Sequence, residues 1–204
     1  LNMEGVNGLE NVKWSDLDAF DIIQYDVTIP YLRQIAGPVD YTQGAMNNAS
    51  RHNFRPVHAQ PMSPGTRAHQ LALYMVLYSP LNMLCDSPSN YRREQECTDF
   101  ISSVPTVWDE TVVLDGRMGE YIVTARRKGD EWYIGGITDW TPRELEIDLA
   151  PLRLGGIREM TLFTDGVNAH RNGNDYRKET MQVDSSRPLN VKLAPGGGFA
   201  AHIR

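Results

Sequence analysis

The sequence predicts an α/β part followed by an all-β part, and three observations carry that reading. A covered helix followed directly by an apolar run occupies the first half. From Trp108 the hydrophobic period falls to two. Turn residues then punctuate short segments at regular spacing to the end of the chain.

In the first half, "YDVTIPYLRQIAG" supplies a β-branched run broken at Pro30. "SPGTRAHQLALYMVLYS" places Ser63 as N-cap and Pro64 at the first helical position, so a helix is expected from Pro64 to Tyr78. Leu71, Leu73, Met75, Val76 and Leu77 occupy more than one stripe, which predicts cover on most sides. "PLNMLCD" behind it reads as a short buried strand, and helix then strand suggests a parallel α/β unit. A further helix is expected over "SNYRREQECTDFISSV", capped by Ser89 or Asn90 and stopped before Pro105.

In the second half, "EYIVTARR", the turn "KGDE" and "WYIGGIT" read as a hairpin. "ELEIDLA" alternates throughout, with Leu145, Ile147 and Leu149 on one face and Glu144, Glu146 and Asp148 on the wet one. "IREMTLF" and "LNVKLAPGGGFAAHIR" continue the pattern, Pro195 and the following glycines making the last turn. Asp115-Gly116 and Asp165-Gly166 read as turns. Short strands with one wet face over about 95 residues imply an antiparallel β-sandwich. Without a flexible linker, the two parts are expected to pack together.

Composition narrows the function. The 204 residues carry a formal charge of −6, which gives no broad attraction for phosphate backbones and makes nucleic acid a poor partner. The longest apolar run, "LALYMVLYSPLNMLC", contains Pro80 and falls short of the roughly 18 apolar residues a spanning helix needs, so no membrane partner is expected. Cys85 and Cys97 are expected as two buried thiols rather than a disulfide.

Two stretches can carry chemistry. Glu4 and Glu10 lie in "EGVNGLE", a spacing that shares no helix face; in a glycine-bearing loop they either converge on a ligand or stand as solvated surface. "AGPVDYTQGAM" packs Asp40, Tyr41, Thr42 and Gln43 between glycines, as a sugar site at a strand end would, or as a loop whose Asp caps its own backbone. His52 and His58 sit in a polar loop, and no two histidines have the spacing of a helical metal pair. His69, on the covered helix, reads as a satisfied core residue. Trp108, Trp132 and Trp140 read as core or interface anchors, although any one exposed on the sandwich could stack on a sugar.

Taken together, "EGVNGLE", "IPYLRQIAGPVDYTQGAM", "PGTRAHQLALYMV", "SPLNMLCDSPSNYRREQE", "VPTVWDETVVLDGRMGEYIVTARRKGDEWYIGGITDW", "DGVNA" and "LAPGGGFAA" resemble the C-terminal portion of glycoside hydrolase family 97, which holds SusB-type α-glucosidases and related α-galactosidases. The resemblance implies that residues 1–106 are the C-terminal part of a (β/α)8 TIM barrel and 107–204 a C-terminal β-sandwich domain. It implies an exo-acting α-glycosidase with an oligosaccharide substrate, periplasmic or secreted in a bacterium. By position Glu4 would be a calcium ligand and Glu10 the general acid, or acid and then base, at the glycosidic oxygen; beside them Asp40, in the strand-end stretch, is the expected substrate-binding residue. The second carboxylate and the other calcium ligands would lie upstream of this chain, in the missing N-terminal part of the same protein. The isolated chain is therefore expected to hydrolyse nothing, and its open barrel edges to promote self-association. A carbohydrate-binding sandwich and a purely structural one are the alternative roles for the second half.

Overall fold

The computed structural model describes residues 5–12 and 14–204. The first part is built on short elements: α1 (Leu9–Val12), α2 (Ile22–Asp26), α3 (Ile29–Leu32), a 3-10 turn (Arg33–Ala36), β1 (Tyr41–Gln43), β2 (Asn48–Ala49), β3 (Ser63–Pro64), α4 (Arg67–Val76), β4 (Asn82–Leu84), α5 (Pro88–Arg93) and α6 (Gln95–Ser103). β1 pairs with β4 in parallel register, Tyr41 opposite Asn82 and Gln43 opposite Leu84, with α4 in the connection between them. This is the parallel α/β unit the sequence predicts. β2 and β3 form a second short parallel pair.

Several elements depart from expectation for local reasons. The β-branched run around Pro30 is helical, because the Asp21 side chain accepts from Gln24 N to cap α2 and Pro30 falls in the first turn of α3, where its missing N–H costs no bond. α4 starts at Arg67, not Pro64: Thr66 is the cap, its hydroxyl accepting from His69 N, while Ser63 and Pro64 pair with β2. All ten residues of α4 are buried, as its several apolar stripes require. The strand in "PLNMLCD" is present but not buried; Leu81, Met83 and Leu84 are exposed. The last helix is broken in two at Glu94, whose φ of −105° and ψ of 47° interrupt the turn, and Ser87, not Ser89 or Asn90, caps α5.

The second part contains β5 (Glu110–Arg117), β6 (Tyr121–Lys128), β7 (Glu131–Thr138), β8 (Arg143–Ile147), β9 (Arg158–Asp165), β10 (Tyr176–Val183), β11 (Leu189–Leu193) and β12 (Gly198–Ile203). Six of them form an antiparallel sheet in the order β10-β9-β12-β7-β6-β5. β8 and β11 form a separate antiparallel pair, and their Ile147, Leu189 and Val191 share a core with Trp132, Ile134 and Phe199 of the large sheet. The chain changes sheets at Pro195-Gly196-Gly197. Asp115-Gly116 lies inside β5 next to a register shift rather than in a turn.

The central strands β6, β7 and β12 of the large sheet are not wet on their second face. Tyr133, Phe163 and Ala200 point away from the β8–β11 side into a cluster with Leu71 and Met75 of α4 and Phe100 of α6. This burial explains why "WYIGGIT" does not alternate: a strand covered on both faces is apolar on both. Gly135 is where helix and sheet meet most closely, since a Cβ there would stand 2.5 Å from Ala72 O and 2.9 Å from Met75 Cβ. Arg126 reaches from β6 to the end of α4, donating to Met75 O and Val76 O, where a cation meets carbonyls left free by the helix end.

Candidate active site

Side chains alternate along β1. Tyr41 and Gln43 are buried on one side, Tyr41 in a core with Leu73 and Val76 of α4. Asp40 and Thr42 fall to the other side, where they line an open cavity of about 560 Å³. Glu10, in the first turn of α1, lines the same cavity. Gly8 makes that meeting possible: a Cβ there would lie 2.5 Å from Glu10 Oε2 and 2.8 Å from Thr42 N, so only glycine lets this loop run against β1. The structure thus brings together Glu10 and Asp40, two residues 30 positions apart that sequence reading singled out separately.

Around these carboxylates the wall is mixed. Met62, Met83 and Leu84 supply apolar surface, while Cys85 and Asp86 close the end reached after β4. Cys85 donates its thiol to Gln43 O at 3.2 Å, and burial pushes its pKa up, so it is a neutral thiol rather than a nucleophilic thiolate. Asp86 is committed to structure: Oδ2 accepts from Met46 N at 2.7 Å, and Oδ1 accepts from Ser87 N at 2.7 Å and Asn90 Nδ2 at 2.6 Å. Sequence reading missed Asp86; the signal available was an acidic residue just ahead of the Ser87-Pro88 helix start.

Glu4 lies outside the described residues. Among the described residues there is no group of three or more His, Cys, Asp or Glu that could hold a metal ion. They do not by themselves compose the shell of six to eight oxygens that calcium takes. His52 and His58 are exposed loop residues. His69 is fully buried, with Nε2 3.2 Å from Asp26 Oδ2 and Nδ1 3.3 Å from Gly197 O, a satisfied core residue as expected. Cys85 and Cys97 are free; Cys97 is buried, whereas Cys85 is only half-buried.

None of Trp108, Trp132 and Trp140 stands exposed on a sheet face. Trp132 is in the core between the sheets, Trp108 sits edge-on to Tyr133 with centroids 5.4 Å apart, and Trp140 donates from Nε1 to Asp21 Oδ2 at 2.8 Å, joining the second part to the first. They serve as core and interface anchors, and no flat aromatic platform for a sugar is formed by them.

Residues 107–204 match a family described as "Glycosyl-hydrolase 97 C-terminal, oligomerisation". Over 204 residues the chain is 60% identical to the retaining alpha-galactosidase of Bacteroides thetaiotaomicron, covering 100% of this chain and 30% of that protein. It is 31% identical over 202 residues to a probable retaining alpha-galactosidase of Streptomyces bingchenggensis, covering 98% of this chain and 28% of that protein. Its structure superposes on a glycoside hydrolase family 97 enzyme from Pseudoalteromonas sp. strain K8, solved in complex with panose, with a TM-score of 0.82 and 34% identity over 98% of this chain and 31% of that one. The chain spans about 30% of the length of the relatives it matches.

Proposed function

The chain belongs to glycoside hydrolase family 97, and from that membership we propose that the protein it comes from is a retaining α-galactosidase with Glu10 as general acid and then general base. The observation that carries this reading is the single cavity shared by Glu10 and Asp40. The substrate class is supported by the 60% identity to a retaining alpha-galactosidase. In this reading residues 1–106 are the last part of a (β/α)8 barrel. The parallel β1–α4–β4 unit and the exposed apolar Met83 and Leu84 beside the cavity, where further strands would close a lumen, support it. Residues 107–204 are the C-terminal sandwich domain, whose large sheet supports the barrel part through α4.

Cleavage needs an acid beside the glycosidic oxygen and a second carboxylate across the sugar ring. Glu10 protonates the departing oxygen as the C1–O bond stretches, which keeps an alkoxide from having to leave. After the glycosyl group is held covalently by a nucleophilic carboxylate from the remainder of the protein, Glu10 takes a proton from the attacking water and is returned to its acid form. Asp40 accepts hydrogen bonds from sugar hydroxyls and fixes the ring relative to Glu10. In this reading Glu4 would supply one oxygen ligand of a calcium ion, and the remainder of the protein would supply the others.

An α-glucosidase is the second reading, favoured by the 34% identity to the enzyme solved with panose. One experiment separates them: hydrolysis of aryl α-galactoside and aryl α-glucoside by the unbroken protein, with the released anomer followed by NMR. Galactoside cleavage giving the α-anomer first is the expected result. Glucoside cleavage giving the β-anomer first would replace retention by inversion and leave Glu10 as acid alone.

A further inference from the structure

Segment 44–48 leaves β1 at its C-terminal end and passes the candidate cavity, where Ala45 forms part of the wall. It is held almost entirely by side chains from distant elements. Gly44 N donates to Gln70 Oε1 at 3.0 Å, and Gly44 O accepts from the Tyr91 hydroxyl at 3.0 Å. Met46 is gripped on both sides, its N–H by Asp86 at 2.7 Å and its carbonyl by Arg67 Nη2 at 2.6 Å. Ala45 O accepts from Asn48 Nδ2 at 2.9 Å, which makes Asn48 the support of the cavity wall itself.

Asn48 is in turn fixed from the C-terminal sheet. Its backbone N–H donates to Asn174 Oδ1 at 2.8 Å, a bond between residues 126 positions apart, and its own Oδ1 accepts from Arg67 Nε at 2.6 Å. The same Asn174 oxygen accepts from Arg67 Nη2 at 3.2 Å. Asn174 lies in the loop between β9 and β10, and that loop is seated closely: Arg67 N donates to Gly173 O at 2.7 Å, and a Cβ on Gly173 would stand 2.3 Å from Gly65 O. Arg67 is fully buried, so a lost acceptor there is not replaced by bulk water.

A group that touches substrate must be held within a fraction of an ångström by neighbours that are themselves fixed, because small displacements of reacting groups are costly in rate. We infer that Asn174, supplied by the C-terminal sheet, is a positioning residue for the active site, acting through Asn48 and Arg67 on segment 44–48. The C-terminal part thereby shapes the site as well as supporting the barrel part. This rests on the hydrolase reading given above.

The test compares Asn174→Ala, which removes the shared acceptor, with Asn174→Asp, which keeps an oxygen in the same place, both in the unbroken protein. Asn174→Ala is expected to lower kcat on the aryl glycoside that the wild type cleaves by tenfold or more and to speed hydrogen exchange of the amides of Met46 and Asn48. Asn174→Asp is expected to restore both. If Asn174→Ala folds poorly, Asn174→Gln, which shifts the oxygen by one methylene, is compared in its place. Wild-type kcat in the variant lacking the acceptor, or equal loss in the aspartate variant, overturns the inference while leaving the hydrolase reading standing. A wild type that cleaves neither aryl glycoside overturns that reading, and the inference with it.

Discussion

Asp26 and His69 face each other in the interior, Oδ2 to Nε2 at 3.2 Å, both fully buried. The Tyr41 hydroxyl donates to the other oxygen of Asp26, and the second ring nitrogen of His69 meets Gly197 O. Burial raises the Asp26 pKa, and the bonds from His69 and Tyr41 oppose that rise. One short polar chain therefore ties α2, β1 and α4 to the turn before β12. Removing one partner strands the other: His69→Leu is expected to cost about 3–5 kcal/mol of stability, read as a shift in urea midpoint. Adding Asp26→Asn to it should recover part of the loss, because removing both partners is cheaper than orphaning one. A loss under about 1 kcal/mol in the single variant, the size of one ordinary hydrogen bond, would mean the pair is not a structural tie.

Glu10→Gln in the unbroken protein should lower kcat by about 10²–10⁴ on substrates with a poor leaving group, the range general acid catalysis supplies. The loss should shrink for an activated leaving group such as dinitrophenolate, which departs without a proton. Equal losses across leaving groups would remove Glu10 from the acid role.

For Asp40, the expected signature is in substrate affinity. Losing a charged hydrogen bond of about 1.5–3 kcal/mol corresponds to a fall in kcat/KM of roughly 10- to 100-fold, carried mostly by KM, in Asp40→Ala. Initial-rate kinetics on the same aryl glycoside decide it; an unchanged KM would place Asp40 outside the contact with sugar.

Asp165 gives a prediction in pH. Burial raises its pKa to about 6 against bonds from Thr66, Ala194 N and Gly198 N that favour the charged form. Because the folded value lies above the unfolded 3.8, the folded state binds this proton more tightly; the contribution is complete below about pH 3.8 and is lost as pH rises through about 6. The gap corresponds to up to about 3 kcal/mol. Thermal midpoints of the wild type should therefore fall relative to Asp165→Asn between pH 4 and about 6.5. A difference that stays flat over that interval would show that Asp165 is not a buried acid.

At the junction of helix and sheet, Gly135→Val must push α4 away from β7, because the Cβ position is already 2.5 Å from Ala72 O. Overpacking of this kind costs typically 1–3 kcal/mol, measurable as a lowered denaturant midpoint with an unchanged slope. A neutral effect would show that the two layers slide freely.

Much of this was legible in the chain itself. The turn "KGDE" between two apolar runs marked the β6–β7 hairpin, the alternation of "ELEIDLA" marked the half-wet β8, and the several apolar stripes of "LALYMV" predicted a helix covered on most sides, because local spacing determines which faces can be apolar. Glu10 and Asp40 were also legible, as carboxylates in glycine-bearing stretches and in a family pattern. What local pattern could not give was set by partners distant in sequence. Pro64 is a strand residue because β2 lies beside it; the β-branched run at Pro30 is helical because Val27 and Ile29 pack into a core with Leu73 of α4 and Ile122 of β6. Asp165, which reads locally as half of a turn, is a buried carboxylate because Ala194 and Gly198 return to it from another strand connection. Sequence by itself determined the change from an α/β part to a β part, the candidate carboxylates Glu4, Glu10 and Asp40 and the family, since these rest on neighbours along the chain. Tertiary structure alone decided that Glu10 and Asp40 share one cavity and that Asn174 bonds the Asn48 that holds its wall, because hydrogen bonds and close packing join residues in space regardless of their order in the chain.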